Sequence, residues 1–379
     1  MIIRSLLDND YYKFSMGNAI AQLYPRATAE YSFINRGNTK FPDGFAKELR
    51  HEVDSMAHLT LQKDEELFLR NKCPYLNPTY IDILRSYNFN PTQVIISQIN
   101  SDLHVTVRGP WYQTVLWEVP LLSIISELYY QITKQPANSS WTQALTAKLK
   151  RMTEAGCKVS DFGTRRRHSY AVQNTLVKIM KDYECCIGTS NLDLAHQYDL
   201  TPIGTMAHEW VMAHACMFGY QRATTEMLKA WVSVYEGELG IALPDTFTLP
   251  VFLRSFGTLY VKLFDGIRQD SGDPKWFTDK VVEHYRKLGI DSRNKTIVYS
   301  DALTDSKAIE IQRYAENKVQ PRFGIGTFMS NDVGVVPLNI VIKMTKCNEV
   351  DAVKLSDSPG KETGSSESIP YCKYSLGIK

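Results

Sequence analysis

The sequence predicts an α/β chain in which an α+β unit over residues 1–135 is followed by a run of β/α units over 136–335. Three observations carry this. From about residue 138 the chain repeats short apolar segments, each ending in Gly, Ser, Thr or Asp and most leading into a helical pattern. Before that point helix and strand patterns are mixed without regular alternation. After residue 335, LNIVIKMTKCN and DAVKLSD read as two strands with no helix between them, so 336–379 is expected to leave the repeated units and join the first.

In order along the first unit, LLDNDYYKFSMGNAIAQLY has a helical pattern, ATAEYSFINR alternates as a strand, and FAKELRHEVDSMAHL and TYIDILRSYN are amphipathic helices. QVIISQ and LHVTVRG form a hairpin across INSD, and TVLWEVPLLSIISELYYQI is a long apolar helix interrupted by Pro120. The repeated part shows seven strand ends: KVSDFGT, ECCIGTS, TPIGTM, GIALPDT, LFDGIRQD, TIVYSD and FGIGT. Strands alternating with helices predict a parallel sheet. Chemistry-bearing residues gathered at the strand C-termini predict a β/α barrel, while a doubly wound open sheet fits the periodicity equally well. SDSPGKETGSSESIP reads as a loop, and no internal repeat is visible.

Composition narrows the function. With 44% hydrophobic and 22% charged residues in 379, the chain is a folded globular one and not disordered, collagenous or coiled coil. A net charge of +2 gives no global basic field, so nucleic acid is not expected and any phosphate affinity must come from local arginines. The seven cysteines are odd in number and include no CxxC pair, which points away from a disulfide framework or a zinc ribbon and toward a reducing cytoplasm. MIIRSLLDNDYYKF carries two acids in its first ten residues, and no stretch approaches about eighteen uninterrupted apolar residues. Neither secretion nor a membrane span is expected.

Four stretches hold candidate chemistry. In GTMAHEWVMAH, residues 204–214, His208 and His214 are six apart, which at ~100° per residue leaves them on different helix faces, unlike a metal-binding HExxH pair. Trp210, Val211, Met212 and His214 read as a packing face. His208 lies just past a strand end, after Gly204 and Thr205, where a helix N-terminus offers free N–H groups to an anion. A neutral imidazole there is placed to attack a phosphoryl donor, with Glu209 expected to hold the other ring nitrogen.

In DFGTRRRH, residues 161–168, Arg165 suits bidentate phosphate contacts and Phe162 offers an aromatic face to a planar ring, while Arg167 reads as part of a solvated basic face. In DGIRQDSGDP, Arg268 and Asp270 alternate at a strand end and point the same way, although a plain Asp/Gly turn would look similar. The arginine suits a carboxylate or phosphate, and the aspartate suits hydroxyls or Mg²⁺. In FGIGT, Gly324 and Gly326 leave backbone N–H groups accessible to phosphate. GTSN at 188–191 and the pair Ser300 and Asp301 read equally well as helix N-caps.

Taken together, LLDNDYYKFSM, DFGTRRR, GTSN, PIGTMAHEW, GIRQDSGDP, FGIGT and KLSDSPGK resemble the motif set of the nicotinate phosphoribosyltransferase family in its bacterial branch, in order from about residue 5 to 361. The resemblance implies an atypical seven-unit β/α barrel with a separate α+β N-terminal domain. It implies that nicotinate and phosphoribosyl pyrophosphate (PRPP) give nicotinate mononucleotide and pyrophosphate, with ATP hydrolysed through a phosphohistidine at His208 and Mg²⁺ accompanying PRPP and ATP. The metal's protein ligands stay unassigned. Tyr12 matches the tyrosine of the nicotinate site, Thr205 a substrate-contacting threonine, Arg268 the arginine of the DSGD loop, and Thr327 the phosphate-site threonine after GIG. Phe162 and Arg165 match positions that stack on the pyridine ring and hold phosphate in the related nicotinamide enzyme. A homodimer with shared sites is implied, Tyr12 reaching into the partner's barrel.

The chemistry is consistent with these residues. Transfer from an activated ribose needs anion clamps, a metal for the diphosphate and a flat pocket, but no strong general base, because the pyridine nitrogen is already a nucleophile. Nicotinamide phosphoribosyltransferase is the nearest rival, and Arg268 does not separate the two. A barrel metallohydrolase would need converging His and Asp ligands, and a non-catalytic binding protein would not need the full motif set. Cys185 and Cys186 and the 362–379 tail match no motif.

Overall fold

The computed structural model describes residues 1–358 and 360–378. In chain order its strands are β1 (Thr28–Asn35), β2 (Val94–Ile99), β3 (Asp102–Pro110), β4 (Val159–Asp161) and β5 (Cys186–Thr189). These are followed by β6 (Ile241–Ala242), β7 (Gly266–Gln269), β8 (Thr296–Tyr299), β9 (Gln320–Ile325), β10 (Ile340–Cys347) and β11 (Val350–Asp351). They form two sheets.

The first sheet has the order β11-β10-β1-β3-β2, with every pair antiparallel. Alternation in β1 buries Ala29 and Tyr31, and Tyr31 faces Val107 on one side and Met344 on the other. β10 and β11 thus lie on the sheet built by the N-terminal residues. The tail does not follow them, which corrects the expectation for 336–379 as one piece. Helix Ser368–Leu376 packs instead on helix Tyr220–Tyr235, with the rings of Tyr371 and Tyr220 5.9 Å apart and Arg254 donating to the Leu376 carbonyl at 3.0 Å.

The second sheet has six parallel strands in the order β5-β4-β9-β8-β7-β6. The first and last of these in sequence, β4 and β9, are neighbours. The seven-strand ladder predicted from the strand ends is not formed. TPIG contributes one parallel bridge, Thr189 to Pro202, and reaches β6 only through the Thr205 hydroxyl, which donates to the Ile241 carbonyl at 2.7 Å. Pro202 has no N–H to give a ladder. Gly204 is pressed against the N-terminal segment, where an added Cβ would lie 2.8 Å from the Tyr12 nitrogen. That segment is stitched into the gap: Tyr11 N donates to Ser190 O at 2.7 Å, and Leu192 N to Asn9 O at 3.0 Å.

The apolar helix expected around Pro120 is two pieces, Trp111–Thr114 and Glu118–Ile132. Pro120 sits in the first turn of the second, where its missing N–H costs no helical bond. Buried apolar residues of both sheets form one continuous core, joined near helix His208–Phe218 by Trp210, whose ring lies 5.9 Å from Trp111 and 5.6 Å from Trp231. Among the described residues no helix is long and apolar enough to cross a membrane, and all seven cysteines are free thiols.

Candidate active site

Two connected cavities open at the C-terminal ends of the parallel strands. The smaller, of about 530 Å³ including solvent at its mouth, is walled by Tyr12, Phe162, Ile203, Ile241 and Val298, with Asp10, Arg165, Thr205 and Arg268 supplying its polar groups. The larger, of about 1920 Å³ including solvent at its mouth, holds His208, Asp270, Gly324, Gly326 and Thr327 and shares Phe162, Arg165 and Arg268 with the first. The fold therefore brings Tyr12, Phe162, Arg165, Thr205, His208, Arg268, Asp270, Gly324, Gly326 and Thr327 to one place, from segments far apart in sequence.

Local geometry explains several of these. The Phe162 ring lies against Gly324, where an added Cβ would approach it to 2.2 Å, so only glycine lets the ring take this position. The Arg268 guanidinium sits 5.6 Å from the Phe162 ring centroid and is held by Ser300 at 2.7 Å and Asp270 at 2.9 Å. Arg268 and Asp270 project to the same side of β7, as strand alternation requires.

His208 opens helix His208–Phe218 and its ring is mostly buried. Nε2 lies 2.9 Å from Asp245 Oδ1 and 3.7 Å from Asp270 Oδ2. Burial, followed by the nearby Lys354 ammonium, pushes His208 down to about 4, so the ring is neutral near pH 7. Burial opposes ionisation of Asp245, but His208 and Lys354, with the hydrogen bonds from His208 and Ser271, hold its carboxyl below the usual range. An ionised Asp245 accepts from Nε2–H, which leaves Nδ1 as the ring nitrogen with a free lone pair.

Glu209 does not orient this ring, which corrects its expected role. Consecutive helical residues are ~100° apart, and Glu209 turns inward, where Oε2 meets Lys13 Nζ at 2.9 Å. Asp245, in the loop after β6, does the holding. Arg167 is not on a solvated face: it is fully buried, and its two terminal nitrogens meet the two Asp8 oxygens at 2.6 and 2.7 Å. His214 is a packing residue, bonded to the Trp210 carbonyl at 2.6 Å and the Tyr24 hydroxyl at 3.0 Å.

Residues that the motifs left without a role complete the larger cleft. Arg166 is pushed down to about 10 by burial and then by Arg165 and Arg36, and Lys343 to about 8 by burial and then by Lys354 and Arg36. Cations crowded this way repel one another until an anion arrives. The KLSDSPGK motif contained Lys354 and Lys361; nothing in the sequence marked Arg36, just past β1, or Lys343, in the middle of β10, which both come from the other sheet.

His208, Asp245 and Asp270 also converge closely enough to ligate a cation. Each carboxylate, however, already faces a protein cation: Asp245 has Lys354 Nζ at 3.5 Å, and Asp270 has Arg268 Nη2 at 2.9 Å. That pairing removes much of the negative charge a metallohydrolase centre would offer a dication.

Comparison with known proteins decides the family. Residues 7–126 match the nicotinate phosphoribosyltransferase (NAPRTase) N-terminal domain, and residues 157–376 match the nicotinate phosphoribosyltransferase (NAPRTase) family. The chain belongs to the nicotinate phosphoribosyltransferase family. A nicotinate phosphoribosyltransferase of Desulforapulum autotrophicum is 47% identical over 381 residues, covering 98% of each chain. The crystal structure of nicotinate phosphoribosyltransferase from Porphyromonas gingivalis matches with a TM-score of 0.97 at 42% identity, covering 100% of both chains. That from Vibrio cholerae matches at 0.96 and 32% identity, covering 100% of this chain and 95% of the other. As a member of this family the chain is a phosphoribosyltransferase.

Within this family fold, Tyr12 lines the cavity of its own chain, held there by the bonds of 9–11 to 190–192. This corrects the expectation that it reaches into a partner's barrel. Mixing Tyr12→Ala with Arg268→Ala protein is therefore expected to restore no activity beyond the sum of the two. Recovery in demonstrably mixed assemblies would place Tyr12 in a partner's cavity.

Proposed function

We propose that this chain transfers the phosphoribosyl group of PRPP to the ring nitrogen of nicotinate, and that ATP hydrolysis assists through a phosphohistidine at His208. The observation that carries this reading is a flat, aromatic-walled cavity with two guanidinium groups opening directly onto a cation-rich cleft that holds a neutral histidine. Nicotinate fits the small cavity with its ring between Tyr12 and Phe162 and its carboxylate toward Arg268. Its ring nitrogen attacks C1′ of PRPP, the bond from C1′ to the diphosphate oxygen breaks, and the electron pair leaves with pyrophosphate. Arg36, Arg166 and Lys343 are the clamps for that leaving charge.

In the ATP half-reaction the lone pair on His208 Nδ1 attacks the γ-phosphorus, and the bond to the bridging oxygen of ADP breaks. The proton on Nε2 stays with the ring, held by Asp245. Water later cleaves the phosphoramidate. Mg²⁺ arriving with PRPP and ATP would neutralise phosphate charge and would be carried by the phosphates, since Asp270 and Asp301 of the cleft already face Arg268 and Lys361. A cytoplasmic setting agrees with seven free thiols. No second copy is needed to complete the small cavity.

Product analysis tests the reading: nicotinate and nicotinamide are incubated side by side with PRPP, with and without ATP. Nicotinate mononucleotide is expected as the main product, formed faster with ATP, and preferential use of nicotinamide would overturn it. Arg268→Ala is expected to raise the KM for nicotinate by roughly 10- to 150-fold, because it removes a charge-assisted contact worth about 1.5–3 kcal/mol. Arg268→Lys should recover only part, since an ammonium cannot reproduce the planar fork. An equal rise in KM for nicotinate and ATP would instead assign Arg268 to organising Asp270.

A further inference from the structure

Four charged side chains alternate in sign between the small cavity and the start of the His208 helix. Arg165 Nη1 lies 3.4 Å from Glu118 Oε1, Glu118 Oε2 lies 2.6 Å from Lys13 Nζ, and Lys13 Nζ lies 2.9 Å from Glu209 Oε2. Glu209 is the residue after His208, on the first turn of the same helix. Lys13 is the residue after Tyr12, is fully buried, and places its ammonium 5.4 Å from the Tyr12 ring centroid.

Stability does not account for this row. Desolvating each buried ion offsets most of the mutual attraction, and apolar side chains of similar size would serve at least as well. One member is also loosely held: Glu209 Oε1 is buried without a hydrogen bond of normal geometry, with only the Tyr31 hydroxyl, likewise unpartnered, beside it. Lys13, Glu118 and Glu209 line neither cavity, so the chemistry does not use them directly.

We propose that Lys13, Glu118 and Glu209 are positioning residues that couple the charge on His208 to the placement of Tyr12 and Arg165 around the base. The inference rests on the phosphohistidine reading above. A phosphoryl group on Nδ1 brings close to two negative charges, by analogy with other phosphorylated side chains, to a helix start already facing Asp245 and Asp270. The first turn responds, and Glu209 is on that turn. Oε1 has only the Tyr31 hydroxyl beside it, so the carboxylate can turn and present Oε1 to Lys13 at the cost of that one contact. Lys13 then shifts relative to Glu118, so that Tyr12, its neighbour in sequence, and Arg165, the partner of Glu118, change position together. Two sites are coupled only if each ligand favours one arrangement of a shared element, and this row is the element that touches both.

The test compares the parent with Glu209→Gln and with Glu209→Met, the first isosteric and the second apolar, both leaving Lys13 paired with Glu118. Thermal unfolding reports folding, radiolabelled ATP reports phosphorylation of His208, and initial rates report the KM for nicotinate with and without saturating ATP. In the parent, ATP should lower the KM. In both variants His208 should still be phosphorylated and the ATP-free kcat and KM kept, while the effect of ATP on KM disappears. If ATP still lowers the KM in the folded variants, the coupling role is overturned alone. Loss of ATP-free activity in both variants means a structural role and overturns it too. A parent with neither adduct nor ATP effect overturns the phosphohistidine reading and this coupling with it.

Discussion

His208→Asn is expected to abolish the covalent phosphoryl adduct and the ATPase while leaving slow, ATP-independent nucleotide formation. The ring's Nδ1 is the only part of residue 208 that the phosphoryl step needs, and the ribose transfer draws on Arg165, Arg268 and the cleft cations instead. Asparagine removes the ring and its amide stops at the position of Nδ1, so the bond to Asp245 is given up as well, and thermal unfolding checks that the helix start holds. In the parent, incubation with ATP alone should give an adduct that survives alkali and is lost in acid, because a phosphoramidate hydrolyses once protonated. ATP can drive synthesis only where phosphorylated and free forms differ in affinity, each tenfold difference contributing about 1.4 kcal/mol. An adduct that persists in the variant, or a variant as ATP-stimulated as the parent, would refute the assignment. Neither His168 nor His214 is a ready substitute, since each has both ring nitrogens engaged and neither lines the cleft.

Asp245→Asn should cost the phosphoryl step nearly as much while leaving the ring in place. The amide presents an N–H where the carboxylate presented an acceptor, so Nε2 becomes the acceptor and the proton moves to Nδ1, the nitrogen that must attack. The same exchange beside a catalytic histidine in Ser-His-Asp enzymes costs on the order of 10⁴-fold in kcat, and a loss of that order is expected for adduct formation. The pH profile separates this from a protonation effect. Burial and Lys354 hold His208 near 4, against an ordinary histidine near 6.5, while Asp245 and Asp270 pull it upward. The parent should therefore form the adduct at a constant rate from pH 8 down to about 5, and lose it only as pH approaches 4. Removing the Asp245 charge lowers the ring's proton affinity further, so the deficit in Asp245→Asn should be the same across that range. A deficit relieved by raising the pH would mean that the variant ring had become cationic and that the tautomer argument was wrong.

Apart from Tyr12, which the resemblance alone marked, the positions legible before folding share one property: each lies at or just past a strand end in a local pattern with its own physical reason. Phe162 and Arg165 follow β4, Arg268 and Asp270 close β7, and Gly324 and Gly326 close β9, where glycine admits a ring or exposes backbone. His208 was legible because it begins a helix just after TPIGT. Glu209 was misassigned because adjacency in sequence is not adjacency in space on a helix. Asp245 was passed over because one aspartate in a loop, 37 residues from the histidine it bonds, has no local pattern to mark it.

The sequence by itself determined the alternation of strand and helix, the charge balance that leaves phosphate binding to local arginines, and the motif order that identifies the family. Those are properties of short windows, set by residue type and period. Only the tertiary structure decided the order of the parallel strands. It leaves the ladder open at Pro202, and the N-terminal segment fills that gap and puts Tyr12 into its own chain's cavity. It also decided that β10, from the far end of the chain, pairs with β1 and carries Lys343 to the cleft where Arg36, just past β1, already stands. Long-range pairing of this kind depends on which buried faces fit together, and no short stretch of sequence contains both faces.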